Sequence, residues 1–109
     1  MALHWEWKNK VGEVTDKHGR KSDLFTGNAF LIAVNRWEED NEKYYNLAWF
    51  FADEKHAKNC LGLTKEYIDY SINDYNWRYL KLDSSNKNIQ KFISLIAKAK
   101  AKDLIIELY

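Results

Sequence analysis

Between Asn28 and Ala52, two apolar segments flank five consecutive polar residues, Glu38-Glu39-Asp40-Asn41-Glu42. No other stretch constrains the fold as much. In the first segment Phe30, Ile32 and Val34 alternate with Leu31, Ala33 and Asn35, the pattern of a strand with neighbours on both faces. The second, Tyr44 to Ala52, is apolar at nearly every position and rich in aromatic rings that suit a pleated surface. Together they predict a β-hairpin at the centre of a sheet, with the polar run as its loop. That loop lacks the Asn-Gly or Asp-Gly pair that fixes a tight turn, so the register stays open.

The flanking sequence supplies material to extend and cover this hairpin. Leu3, Trp5 and Trp7 alternate with His4, Glu6 and Lys8, which predicts a half-buried outer strand continuing through Val11 and Val14. Asp16-Lys17-His18-Gly19-Arg20 reads as a turn, and residues 20–26 as a loop or short strand. Asp53 is placed to N-cap a short helix over about 53–61, stopped by Gly62. Residues 63–75 satisfy helical and strand spacing alike. Trp77 to Leu82 alternates as a strand. Asn86 and its neighbours then offer caps for an amphipathic helix over about 86–102, with Ile89, Phe92, Ile93, Ile96 and Ala97 on one face and Lys98, Lys100 and Lys102 near its end. Leu104 to Tyr109 predicts a closing strand. The expected fold is a single α+β domain over 1–109, a mainly antiparallel sheet of about five strands with both helices on one face. If the strands at 77–82 and 104–109 are parallel neighbours, a right-handed crossover joins them.

Composition excludes more than it assigns. Seventeen basic and sixteen acidic residues leave a net charge of +1, which argues against a strongly basic nucleic-acid binder. No apolar run approaches the roughly 20 residues of a membrane span. A lone cysteine, Cys60, and no leader-like segment predict a reducing cytoplasm. Aromatic residues make up 16% of the chain and proline is absent. Two readings follow: a small core that gains area from large side chains, or an aromatic surface kept for a partner.

Catalytic patterns are missing. There is no glycine-rich phosphate loop, dinucleotide fingerprint or serine elbow, and no cofactor or metal set is expected. His56 and Cys60, four residues apart on the short helix, lack the further groups a nucleophile or metal site needs. The richest group is 67–79, where five aromatics mingle with amides, acids and Arg78. Tyr70, Tyr75, Trp77 and Arg78, with Arg36 and Trp37 from the hairpin, are the candidate binding residues. They suit a protein interface or a stacked base with cations on its phosphate, while burial of Tyr70, Trp77 and Tyr79 in the core is the plain structural alternative.

The runs Leu3-His4-Trp5-Glu6-Trp7, Gly27 to Ile32, Tyr45 to Asp53 and His56 to Leu63 resemble a group of small uncharacterised proteins of phages and mobile elements of Firmicutes. The resemblance transfers no catalytic residue. It implies a phage or mobile-element accessory protein that binds stoichiometrically and inhibits a host defence protein such as a CRISPR effector; such binding is expected through an aromatic-polar surface, with a homodimer as one option. Sequestration of a nucleotide immune signal in an aromatic and basic pocket is the second reading, and a small enzyme the third.

Overall fold

The computed structural model describes residues 9–64, 72–99, 101 and 103–109. Among these residues six strands form one sheet: β1 (Lys10–Asp16), β2 (Lys21–Phe25), β3 (Leu31–Glu39), β4 (Glu42–Phe51), β5 (Trp77–Leu82) and β6 (Ile105–Leu108). Helix α1 (Glu54–Cys60) follows β4, and α2 (Lys87–Ala99) lies between β5 and β6. The strand order is β4-β3-β2-β1-β5-β6. All neighbours are antiparallel except β5 and β6, which run parallel with α2 as their connection. The fold is thus α+β as expected, with six strands in a mixed sheet rather than about five. The outer strand expected over Leu3 to Lys8 lies outside the described residues, as do Lys100 and Lys102. Of the ambiguous stretch 63–75, Ile72–Tyr75 forms a 3-10 turn; residues 65–71 are outside the described set.

Local chemistry explains the element boundaries. The Asp53 carboxylate accepts the His56 N–H at 2.8 Å and starts α1, and Gly62 takes φ 76° after its end. Asn86 caps α2 through the Ile89 N–H. Asp16 accepts the N–H groups of His18 and Arg20, so the β1–β2 turn forms around Gly19 at φ 82°. In the hairpin the strands reach further than the polar run suggests. Glu39 pairs with Glu42, leaving a two-residue turn in which Asp40 and Asn41 adopt φ 52° and 64°. Short polar side chains tolerate that conformation, so Asp-Asn performs the role usually given to Asn-Gly.

The hairpin is not central. Among the described residues β4 has only β3 as a neighbour, and its residues Glu42 to Ala48 are exposed. Apolar character at nearly every position from Tyr44 to Ala52 predicts a central strand; here it marks an edge strand that displays its aromatic side chains. Beyond Asn35, β3 also loses β2 as a partner. Arg36 to Tyr45 therefore project as a two-stranded ribbon.

Residues directly opposite in antiparallel strands share a face, which assigns the two sides of the sheet. Leu24, Leu31, Ala33, Phe51, Leu80 and Leu82 face the helices and pack with Ile89, Phe92, Leu95 and Ile96 of α2. Leu95 joins this core while Ala97 stays exposed. Phe25, Ile32 and Val34 form a smaller cluster on the opposite face.

The helix-side face is concave. Trp49 of β4 and Trp77 of β5 are four strand spacings apart, about 19 Å in a flat sheet, yet their rings lie 5.2 Å apart. Register shifts beside Gly12, Asp16 and Val34 supply the bends that such curling needs. At Gly12 the neighbouring strand comes so near that a Cβ would lie 2.3 Å from the Lys81 carbonyl oxygen. Gly12→Ala is therefore expected to destabilise the protein by about 1–3 kcal/mol, read as a lower urea midpoint at unchanged m-value.

Candidate functional site

Helices α1 and α2 cover only part of the concave face. The uncovered part starts at the aromatic group Trp49, Tyr75 and Trp77. Tyr75 stacks on Trp77 at 4.8 Å and meets Trp49 edge-on at 5.7 Å. The 3-10 turn brings Tyr75 there, and the Lys17 N–H ties Asn76, the next residue, to the β1–β2 turn by donating to its carbonyl at 2.8 Å. A concavity of about 250 Å³ beside these rings is lined by Asp16, Arg20, Ser22 and Asn35 among others. The Ser22 hydroxyl donates to the Asn35 side-chain oxygen across β2 and β3.

A second, adjoining concavity of about 330 Å³ shares Arg20 and Asn35 and adds Lys21, Arg36, Trp37 and Asn46. Trp37 is 44% exposed and stacks on Tyr44, its cross-strand partner, at 5.5 Å and 18°. A continuous polar and aromatic trough thus runs from Trp49 and Tyr75, past Asn35, Asn46 and Arg20, to the Trp37–Tyr44 pair.

The structure divides the candidate binding residues. Tyr75, Trp77 and Trp37 share the concave side, but Trp77 is only 4% exposed and supports the rings around it. Its indole N–H is buried without a hydrogen-bond acceptor, and the Phe92 and Trp77 rings meet at a steep angle with centroids 5.7 Å apart. Arg78 is exposed on β5 and lines neither concavity; alternation along β5 does not bring it beside the aromatic group. Tyr70 is outside the described residues. Arg36 borders the second concavity, yet its Nε is held by the Asp23 carboxylate. Arg20, Asn35, Tyr44, Asn46 and Trp49 were not singled out from the sequence. Their signal was polar: Asn35 and Asn46, directly opposite each other, are the amides that interrupt two otherwise apolar strands.

Charges on the opposite face serve the fold. Asp23, 11% exposed at its side chain, is paired with Arg36 and with Lys10 at 3.0 Å. Lys10 also donates to Glu13 at 2.6 Å. That hydrogen bond holds the Glu13 carboxyl below the usual carboxylate range against the opposing effect of burial, with Lys81 and Lys21 adding to it. Burial pulls Lys10 down, but its bonds to Glu13 and Asp23 outweigh this and leave it above the usual lysine value.

The His56–Cys60 pair is absorbed by structure. His56 accepts the Ala52 N–H at Nδ1, 3.0 Å away, and packs edge-on against Phe50 and Phe51. Cys60 is partly buried against the core. Among the described residues no three His, Cys, Asp or Glu side chains converge as a metal set, and no described helix is long and apolar enough to cross a membrane.

Two outcomes follow. Arg36→Ala leaves the buried Asp23 carboxylate with one cation fewer and is expected to lower stability by about 1–3 kcal/mol, measured by denaturant unfolding. Because the folded-state pKa of Glu13 is lowered, its stabilisation is present above the unfolded carboxylate value and disappears as pH falls through the folded one. Glu13→Gln should therefore melt with a weaker pH dependence than the parent between about pH 5 and pH 3.

Comparison with protein-family models, curated proteins and solved structures returns no match, so geometry carries the functional reading.

Proposed function

We propose that this protein works without catalysis, by stoichiometric binding of a protein partner through the open trough on the concave face. The observation that carries this reading is the exposed Trp37–Tyr44 stack, continuous with Asn35, Asn46, Arg20 and the Trp49–Tyr75 rings. Rigid aromatic anchors beside amides and one or two cations are the composition of protein interfaces. The concavities are shallow and open, which suits a protein surface better than an enclosed metabolite. Resemblance to small proteins of phages and mobile elements supplies the biological context: the partner is a host protein of antiviral defence, and binding inhibits it.

One feature favours a second reading. Arg20, Lys21 and Arg36 all border the concavity next to Trp37, an arrangement able to stack a base and meet its phosphate. In this reading the ligand is a nucleotide immune signal.

Affinity capture from host-cell lysate with the tagged chain separates these readings, provided proteins and heat-released nucleotides are both analysed. We expect one enriched protein in near-equal molar amount, lost at least tenfold in the Trp37→Ala/Tyr44→Ala double variant and in Arg20→Glu. Ile105→Ala, at the far edge of the sheet, should retain it. A nucleotide recovered without protein and lost in Arg20→Glu establishes the second reading. Capture indifferent to all these substitutions rejects the trough as the binding surface.

A further inference from the structure

Among the described residues, the exposed large apolar side chains lie at the two edges of the sheet. Trp37, Tyr44, Tyr45, Leu47 and Phe50 belong to the β3–β4 hairpin, and Ile105, Ile106, Leu108 and Tyr109 to β6 and the residue after it. Native edge strands are usually shortened, charged or interrupted by proline. Strand β4 is ten residues long and proline-free, and Lys43 is its only basic residue. The five exposed apolar side chains of the hairpin lie on both of its faces, Trp37 and Tyr44 on the concave one and Tyr45, Leu47 and Phe50 on the other, and together present on the order of 400–500 Å².

We infer that the occupant of this edge is a second copy of the same chain, joined through antiparallel pairing of β4 with β4 about a two-fold axis perpendicular to the sheet. The hairpin geometry selects the register. The two-residue turn makes Glu39–Glu42 the hydrogen-bonded closing pair, and bonded and non-bonded pairs alternate from there. The register from Glu42 to Leu47 is unbroken. Lys43 and Leu47 therefore direct their backbone N–H and C=O groups away from β3. An axis midway between them places Lys43 opposite the partner's Leu47, and Leu47 opposite the partner's Lys43, giving four inter-chain hydrogen bonds from these two residues of each copy. The bulge at Ala48 ends the flat part of the edge just beyond this segment.

Charge supports the same arrangement. Glu38, Glu39, Asp40 and Glu42 make each ribbon tip acidic, and antiparallel pairing sends the two tips to opposite ends of the interface, roughly 30 Å apart. Parallel pairing would bring them together. Stability points the same way: an isolated two-stranded ribbon is marginal in water, and the partner strand turns two such ribbons into four paired strands. Because the axis is perpendicular to the sheet, both concave faces stay on the same side. The two Trp37–Tyr44 stacks then flank the axis, joining the troughs into one surface of double width. Dimerisation itself does not depend on the binding reading proposed above.

Sedimentation equilibrium of the full chain tests this. A short edge-to-edge contact predicts a weak, concentration-dependent dimer of the 13.0 kDa chain. Leu47→Lys, which sets two lysines against each other across the axis, should raise the dissociation constant at least tenfold. Combining it with Lys43→Glu should restore the dimer through opposite charges. Lys43→Pro should weaken it too, since the lost N–H points outward and the hairpin's own bonds remain. Circular dichroism checks that each variant is folded. Ile106→Lys, at the other edge, should leave the dimer unchanged. A chain that stays monomeric throughout, a dimer insensitive to Leu47→Lys and Lys43→Pro, or one lost in Ile106→Lys overturns the inference.

Discussion

The contact between Trp49 and Trp77 organises this protein. It joins an edge strand to a strand four places away, and Val14 and Ser22 of the intervening strands line the concavity beside the two rings. Phe51 and Phe92 continue the aromatic group into the core. Curvature, core and surface are thereby tied to one cluster. A helix of the length of α2 extends about 20 Å, and its Phe92 meets both Phe51 of β4 and Trp77 of β5. The part of the concave face it does not cover is left to the aromatic and amide side chains.

This division explains why so many large rings coexist with so little exposed apolar surface on the body of the domain. Trp77, Phe51 and Phe92 are core, Trp49 and Tyr75 are its half-buried margin, and Trp37, Tyr44 and Tyr45 belong to a ribbon that no other described element covers. Each group obeys ordinary packing rules. The margin is where they conflict, because a ring half in the core and half in water is poorly satisfied until something covers it. The partner binding proposed above gives that margin a covering group.

Much of the fold was legible from the chain because the signals were local. The cap at Asp53, the stop at Gly62, the turn at Gly19, the α2 stripe and the closing strand each depend on residues within one or two turns of one another. Strand placement was harder to read. An apolar run such as Tyr44 to Phe51 carries the same pattern whether both faces are buried or an edge displays its rings, and only the neighbouring strands decide. The site suffered similarly. Trp77 and Arg78 are adjacent in sequence and looked like one surface, but one became core and the other went to solvent. Arg20 and Asn46, far apart in the chain, line one concavity only once β2, β3 and β4 have paired.

Gly12 lies on the seam where β1 pairs with β5, and that seam has a kinetic meaning. Every other antiparallel pair joins strands consecutive in the chain, and β6 reaches β5 through a single helix. Among the described residues, only the β1–β5 ladder links residues some seventy positions apart, Gly12 with Leu82. Two locally closed halves, the four-strand meander and the β5–α2–β6 unit, can each gather early, since short loops cost little entropy to close. The search that limits folding is then the docking of one half against the other, along a ladder whose closest approach tolerates nothing larger than hydrogen.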